Sequence, residues 1–321
     1  MITTAYILAA GKGTRLYPFS RVYPKSLLPL LNRPIIVHSI ERLIKAGIIN
    51  IGIIIPNEST QIISQVQGTF PDLDVTWIVQ KIPLGTANAV IQIEKHLRDE
   101  NFIVIAGDSL FSVSFLRALS KVHLDDQNWI TLSLEKMNFE LMRHSSTVDY
   151  RDGRVWGVRE KPQTIDETLS DLNSAACYAF SQSIFPYLKR ARKSKRNEYE
   201  LTSVINEIIH GAHPVGGVET DRICHITTPF DLWWYNLQFL RTIKPRDPTG
   251  ALIGKAVSMS GEVIINRSVI GDHVVIQEGC HQILDSVILS NSVLQRDHKN
   301  ALVLRDFYQQ FSQTQISERF L

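Results

Sequence analysis

Two glycines, a threonine and three cations lie in the run Leu8-Ala9-Ala10-Gly11-Lys12-Gly13-Thr14-Arg15-Leu16-Tyr17-Pro18 and its sequel Pro24-Lys25-Ser26-Leu27-Leu28-Pro29. The pattern suits phosphate. Without side chains at Gly11 and Gly13 the backbone can approach an anion closely with its N–H groups inward, and Arg15 and Lys25 add full positive charge. No Lys-Ser or Lys-Thr pair follows the last glycine, which excludes a Walker A loop, and the third glycine of the dinucleotide fingerprint is missing.

The elements that hold this loop read as alternating strands and helices. Apolar runs at Ala5 to Ala9, Ile51 to Ile55, Val75 to Val79, Phe102 to Ala106 and Trp129 to Leu134 predict strands of a mostly parallel sheet. Ile36, Ile40, Leu43 and Ile44 recur at helical spacing between Pro34 and Gly47, and Thr86 to Leu97 and Leu201 to Ile209 predict further helices. Asp152-Gly153 supplies the turn of a hairpin whose second strand delivers Glu160-Lys161-Pro162. Thr228-Pro229-Phe230-Asp231 reads as a helix entry with Thr228 as cap and Asp231 reaching back. In open sheets ligands collect beyond the carboxyl ends of the strands, where the glycine loop and Asp108 are expected.

Beyond Lys244 to Gly250, which reads as a linker, Ser268-Val269-Ile270, Ser286-Val287-Ile288 and Ser292-Val293-Leu294 are spaced by multiples of six. A coil of hexapeptides fits that step, a small irregular β-domain being the alternative, and the last coil is imperfect. Asp306 to Leu321 reads as a helix or a loose end. The 321 residues carry a net charge of +2, so no nucleic acid partner is expected. No apolar run reaches the roughly 18 to 20 residues of a membrane span, the start lacks the features of a signal peptide, and a cytoplasmic protein with no membrane partner is expected. Cys177, Cys224 and Cys280 fit neither a disulfide framework nor a zinc site and read as reduced thiols.

The two opening segments resemble the signature of the sugar-1-phosphate nucleotidyltransferases, Gly-x-Gly-Thr-Arg-Leu-x-Pro followed by Pro-Lys-x-Leu-x-Pro. The resemblance runs from Met1 to near Asn236, with a related tail. It implies a Rossmann-like α/β nucleotidyltransferase domain over 1–243, the linker 244–250, a left-handed β-helix-like domain over 251–305 and a tail over 306–321. It further implies that a nucleoside triphosphate, UTP or dTTP favoured, is joined to a hexose 1-phosphate, glucose 1-phosphate favoured, with release of pyrophosphate. Two unit charges about 4 Å apart repel by about 4 kcal/mol at an effective dielectric near 20, so cations must line the site. On this resemblance Arg15 would hold the triphosphate and Lys25 the α-phosphate. Leu8, Ala10, Gly11, Gly13, Thr14, Gln80, Gly85 and Thr86 would contact the nucleotide, and Glu160, Lys161, Ser174, Glu198 and Thr202 the sugar phosphate. Asp108 would bind Mg²⁺, and homo-oligomer contacts are expected in the C-terminal domain.

Two positions depart from the family pattern. Where the family has Asn-x-Gly-x-Tyr, this chain has Ser174, Ala176 and Tyr178, which puts a methyl near the sugar. Where a second metal-binding aspartate is usual stands His225, a poor partner for a hard cation. Three outcomes stay open: Mg²⁺ held by Asp108, water and substrate phosphates; another divalent ion; or a catalytically silent, nucleotide-sugar-binding regulatory subunit. His225 also reads as a core histidine.

Overall fold

The computed structural model of the chain describes residues 1–220, 223–243 and 249–318. By packing, the chain falls into two compact units, one of Met1–Gly11 with Ile36–Cys224 and one of Lys12–Ile35 with His225–Leu321. Of the expected linker, residues 244–248 lie outside the described residues, as do the last three of the expected tail.

Nine strands build the first unit: β1 (Thr4–Leu8), β2 (Asn50–Pro56), β3 (Val75–Gln80), β4 (Asn101–Ala106), β5 (Ile130–Lys136), β6 (Ser146–Arg151), β7 (Arg154–Glu160), β8 (Leu172–Ser181) and β9 (Val215–Glu219). Their order is β3-β2-β1-β4-β8-β5-β9-β7-β6. Only β7 and β8 oppose the common direction, so the mostly parallel α/β sheet expected from the sequence is the one that forms. Ile51, Ile53, Ile54 and Ile55 are all buried, as an inner parallel strand covered on both faces requires. Tyr6 pairs across from Gly52, where a Cβ would come 2.3 Å from the tyrosine ring. That ring then meets Phe102 edge-on at 5.7 Å, and Phe102 in turn contacts Phe180 and Phe185.

The five expected strands are present, and the hairpin turns through Asp152 and Gly153, both at positive φ as its turn type demands. β8 and β9 carry no strand signal in the sequence. Polar Asn173 and Ser174 and a register shift between Ser174 and Tyr178 break the alternation of β8, while Gly216-Gly217 weakens the signal of the short β9. The first helix spans Ile35–Ala46 and stops at Gly47, φ 102°. Pro34 lies just outside it, in a short ladder of Pro29–Leu30 with Arg33–Pro34, and Ile44 is exposed whereas Ile36, Ile40 and Leu43 are buried. The helix expected over Thr86 to Leu97 is α-helical over Thr86–Ile91 and tightens to a 3-10 turn over Gln92–His96, whose last carbonyl accepts from the Tyr6 hydroxyl at 2.8 Å.

The second unit joins the segment 12–35 to the helix Pro229–Thr242 and the C-terminal strands. Thr228 and Asp231 form the expected capping box, and the Asp231 carboxylate also accepts from Thr227. Asn236, fully buried, accepts from the Leu31 amide at 2.8 Å and donates to the carbonyls of Pro29 at 3.0 Å and Leu232 at 2.8 Å. From the same helix the Trp233 indole donates to the Asp285 carbonyl and packs on Phe311. The tail coils regularly. Leu252, Val269 and Val287 stack in parallel on one face, Ser258, Val275 and Val293 on a second, Ile264 and Gln282 on a third. Buried Ser268 and Ser286 link successive coils, Ser268 Oγ accepting from the Ser286 amide at 3.1 Å. The last coil is shortened, with Val287 pairing Leu302, and is closed by the antiparallel strand Phe307–Gln310 and the helix Gln313–Glu318. All three cysteines are buried and unbridged. No helix among the described residues is long and apolar enough to cross a membrane.

Replacing Asn236 by Ala leaves the Leu31 amide and the Pro29 carbonyl without their partner. Urea unfolding should show a loss of about 2 kcal/mol, and limited proteolysis should cut first within residues 12–35.

Candidate active site

In the second unit the phosphate-type loop is a chain of short 3-10 turns, Thr14–Leu16, Phe19–Arg21 and Lys25–Leu27, pinned by buried Leu16, Phe19 and Leu28. Gly13 holds φ 62°, and a Cβ there would lie 3.3 Å from Lys25 Cβ. Glycine is thus favoured on two counts, by the left-handed backbone and by the stem of Lys25 lying close across it. The two halves of the signature meet through this contact. Thr14 and Arg15 are exposed and Lys25 is half-buried.

In the first unit the chain leaves β1 through buried Ala9 and Ala10 to exposed Gly11, where a Cβ would meet nothing within 4 Å. Among the described residues no atom crowds that position, and open space is what a close-lying anion needs. β1 pairs in parallel with β4, Leu8 opposite Ala106. The Gly107 amide donates to the Leu8 carbonyl at 2.9 Å, and a Cβ on Gly107 would sit 2.8 Å from that oxygen. Asp108 follows at once, 8% exposed, its Oδ1 accepting from Ser109 Oγ at 3.1 Å. Asp108 therefore follows directly on the residue that meets the end of β1.

Gln80 ends β3, buried, and donates to Asn88 Oδ1 at 2.8 Å, which brings Asn88 into the candidate site. The connection after it is zipped to the segment before the helix Leu201–His210. Tyr199 N donates to the Leu84 carbonyl at 2.7 Å, Ala87 N to the Tyr199 carbonyl at 3.0 Å, and Leu201 N to Thr86 Oγ1 at 3.1 Å. Gly85, at φ 113°, could carry no side chain, since its Cβ would lie 2.5 Å from the Tyr199 oxygen. Both Gly85 and Thr86 therefore have structural duties besides the base contact expected of them.

Glu160 at the end of β7 gathers most of the remaining candidates. It accepts from Thr202 and is faced by Glu200, Lys161 and Arg196; burial and the Glu200 charge push its carboxyl above the ordinary glutamate range. Tyr178, fed by Ser174 Oγ at 3.3 Å, is raised to about 12, first by burial and also by the Glu160 charge. Lys161 follows with φ 48°, its amide donating to the Ser145 carbonyl at 2.7 Å. Glu198 stays outside this group, on the surface. Its neighbour Glu200 is buried, held by Ser194 Oγ at 2.6 Å and Arg196 at 2.7 Å. The sequence signal for Glu200 was its place as the last residue before the helix, where the backbone is fixed. Ala176 occupies the bulge of β8 at φ 56°, a left-handed conformation that explains a glycine preference by backbone sterics.

His225 is half-buried and lies in the second unit. Among the described residues no three His, Cys, Asp or Glu side chains are grouped to hold a metal ion. The donor chemistry of Asp108 nevertheless fits Mg²⁺, which keeps waters and phosphate oxygens and needs one or two carboxylates rather than a protein cage. The imidazole of His225 does not fit that ion, and the Asp231 carboxylate is committed to its cap.

A family model described as nucleotidyl transferase matches residues 4–235. A glucose-1-phosphate thymidylyltransferase of Streptomyces griseus is 29% identical over 282 residues, covering 84% of this chain and 77% of its own. A UTP–glucose-1-phosphate uridylyltransferase of Haloferax volcanii is 28% identical over 218 residues, covering 68% and 88%. The fold is similar to that of a UDP-glucose pyrophosphorylase solved with UDP-glucose, TM-score 0.66 at 19% identity, covering 75% of this chain and 100% of that one.

Two outcomes follow from the Glu160 and Ala176 environments. The native state holds the Glu160 proton to higher pH than the unfolded chain, so stability falls as pH rises above the ordinary glutamate value of 4.5. Glu160→Gln should flatten that limb of the stability–pH curve measured by denaturant unfolding. Ala176→Gly should raise stability by about 1 kcal/mol by relieving the left-handed backbone, read from the same curves at neutral pH.

Proposed function

The chain belongs to the nucleotidyl transferase family, and on that premise we propose that it joins UTP or dTTP to a hexose 1-phosphate, glucose 1-phosphate first, to give a nucleotide-sugar. The observation that carries the reading is the parallel pairing of β1 with β4, after which the segments bearing Gly11 and Asp108 leave the sheet at the same end. The names of the two relatives supply the sugar phosphate and the choice of bases.

A phosphate oxygen of the sugar 1-phosphate attacks the α-phosphorus of the triphosphate. The new P–O bond forms as the bond to the β-phosphate breaks, and pyrophosphate leaves with the electron pair. Arg15 offers a planar fork to triphosphate oxygens and to the charge gathering on pyrophosphate. Lys25, its stem fixed across Gly13, supplies a point charge for the α-phosphate. Asp108 would hold Mg²⁺ together with phosphate oxygens, and the ion supplies neutralisation of phosphate charge. Gln80, oriented by Asn88, reads the base edge. Glu160, with Thr202 and Glu200 around it, accepts from sugar hydroxyls, Ser174 adds a further hydroxyl, and Lys161 contacts the sugar phosphate. A nucleotide-sugar-binding subunit without turnover is the second reading, favoured by the imidazole of His225 and the commitment of Asp231 to its cap.

Pyrophosphate release from purified protein, with a panel of triphosphates, sugar 1-phosphates and divalent ions, separates the two. Arg15→Ala and Asp108→Asn should each lower kcat/KM by about a hundredfold or more with thermal unfolding nearly unchanged. Unaltered rates in either variant, or no release from the wild type on any pair, would remove the enzyme reading.

A further inference from the structure

Six of the eight residues from Lys189 to Arg196 are cationic, a concentration that the net charge of +2 averages away. All six are exposed. Lys189 and Arg190 end the helix Phe185–Arg190, and the rest form a small hairpin closed by a bridge between Lys193 and Tyr199. Within it Ser194 N donates to the Glu198 carbonyl and Asn197 N to the Ser194 carbonyl, both at 2.9 Å, with Asn197 at φ 62° making the turn. Two of the cations are neutralised in place, Lys189 by Glu94 at 2.6 Å and Arg196 by Glu200 at 2.7 Å. Arg190, Arg192, Lys193 and Lys195 have no carboxylate partner among the described residues.

Exposed charges separated by less than about one Debye length, 8 Å at physiological salt, act on an anionic surface together, and six cations within eight consecutive residues favour that regime. We propose that the 189–196 segment is a docking surface for a bilayer carrying anionic lipid headgroups. A polybasic cluster of four to eight Lys and Arg is what such a surface attracts. Long side chains suit it, since their stems lie along apolar surface while the charged heads reach the phosphates. Arg190 lies over Tyr187 at 4.6 Å and Lys193 over Tyr199 at 5.7 Å, so each tyrosine is covered by a cation of the patch. That arrangement disfavours single-stranded nucleic acid, whose binding relies on open aromatic rings for base stacking. The hairpin is braced by the bonds of Tyr199 to Leu84 and Ala87, so it presents its charges on a fixed base.

Full-length protein should pellet with phosphatidylcholine vesicles containing about one third phosphatidylserine, stay in solution with phosphatidylcholine alone, and be released as salt rises. Each neutralised cation removes about fivefold in partition, so Arg192→Gln with Lys195→Gln should weaken binding about 25-fold. That double variant spares the Lys193–Tyr199 contact, and its thermal unfolding checks that the hairpin region is intact. If it unfolds early, Arg192→Gln alone should still give the fivefold step. Wild-type protein remaining in the supernatant, a variant that pellets equally, or single-stranded RNA or an acidic peptide displacing the protein from vesicles at sub-stoichiometric concentration would overturn the assignment.

Discussion

The hydrogen bond from the Gly107 amide to the Leu8 carbonyl fixes how the chain leaves β1 and β4 in the first unit. It extends the parallel pairing of β1 and β4 one residue past the end of the ladder, and it does so only because Gly107 has no side chain to strike that oxygen. The carboxylate of Asp108 and the open backbone at Gly11 are brought to one strand end as a consequence. On the proposed function, a buried carboxylate and a loop with room for an anion at the same sheet end suit a metal–phosphate reaction.

A different economy governs the residues around Glu160. Two glutamates approach each other, and the repulsion is tempered by Arg196, Lys161 and the Thr202 hydroxyl rather than avoided. Such a group is poised to accept from several hydroxyls at once, which suits a polyhydroxyl ligand. The bulge that carries Ala176 lies in the strand that also supplies Ser174 and Tyr178, so backbone strain and the proposed sugar-side residues share one element.

In the second unit the signature loop depends on a helix more than two hundred residues away in sequence. Asn236 satisfies backbone groups of Leu31 and Pro29, and the same helix sends Trp233 to the Asp285 carbonyl of the coiled tail. The packing thus ties the fate of Lys25 and Arg15 to a segment that the sequence offers no local reason to connect with them.

Local rules made much of this legible. The glycine-and-cation loop, the strands with continuous apolar runs, the Asp152-Gly153 turn, the capping box at Thr228 and the stacked serines of the tail each follow from periodicity or from one residue's conformational needs, which neighbours in sequence carry. Other features required the fold. β8 was hidden because its bulge breaks alternation; Asn88 and Glu200 were hidden because their value lies in partners brought up by other elements; and Glu198 could be told from Glu200 only once burial was known. The sequence by itself determined which residue types were available for phosphate and sugar chemistry. Tertiary structure decided which of them meet, because strand register and helix placement are set by packing between segments distant along the chain.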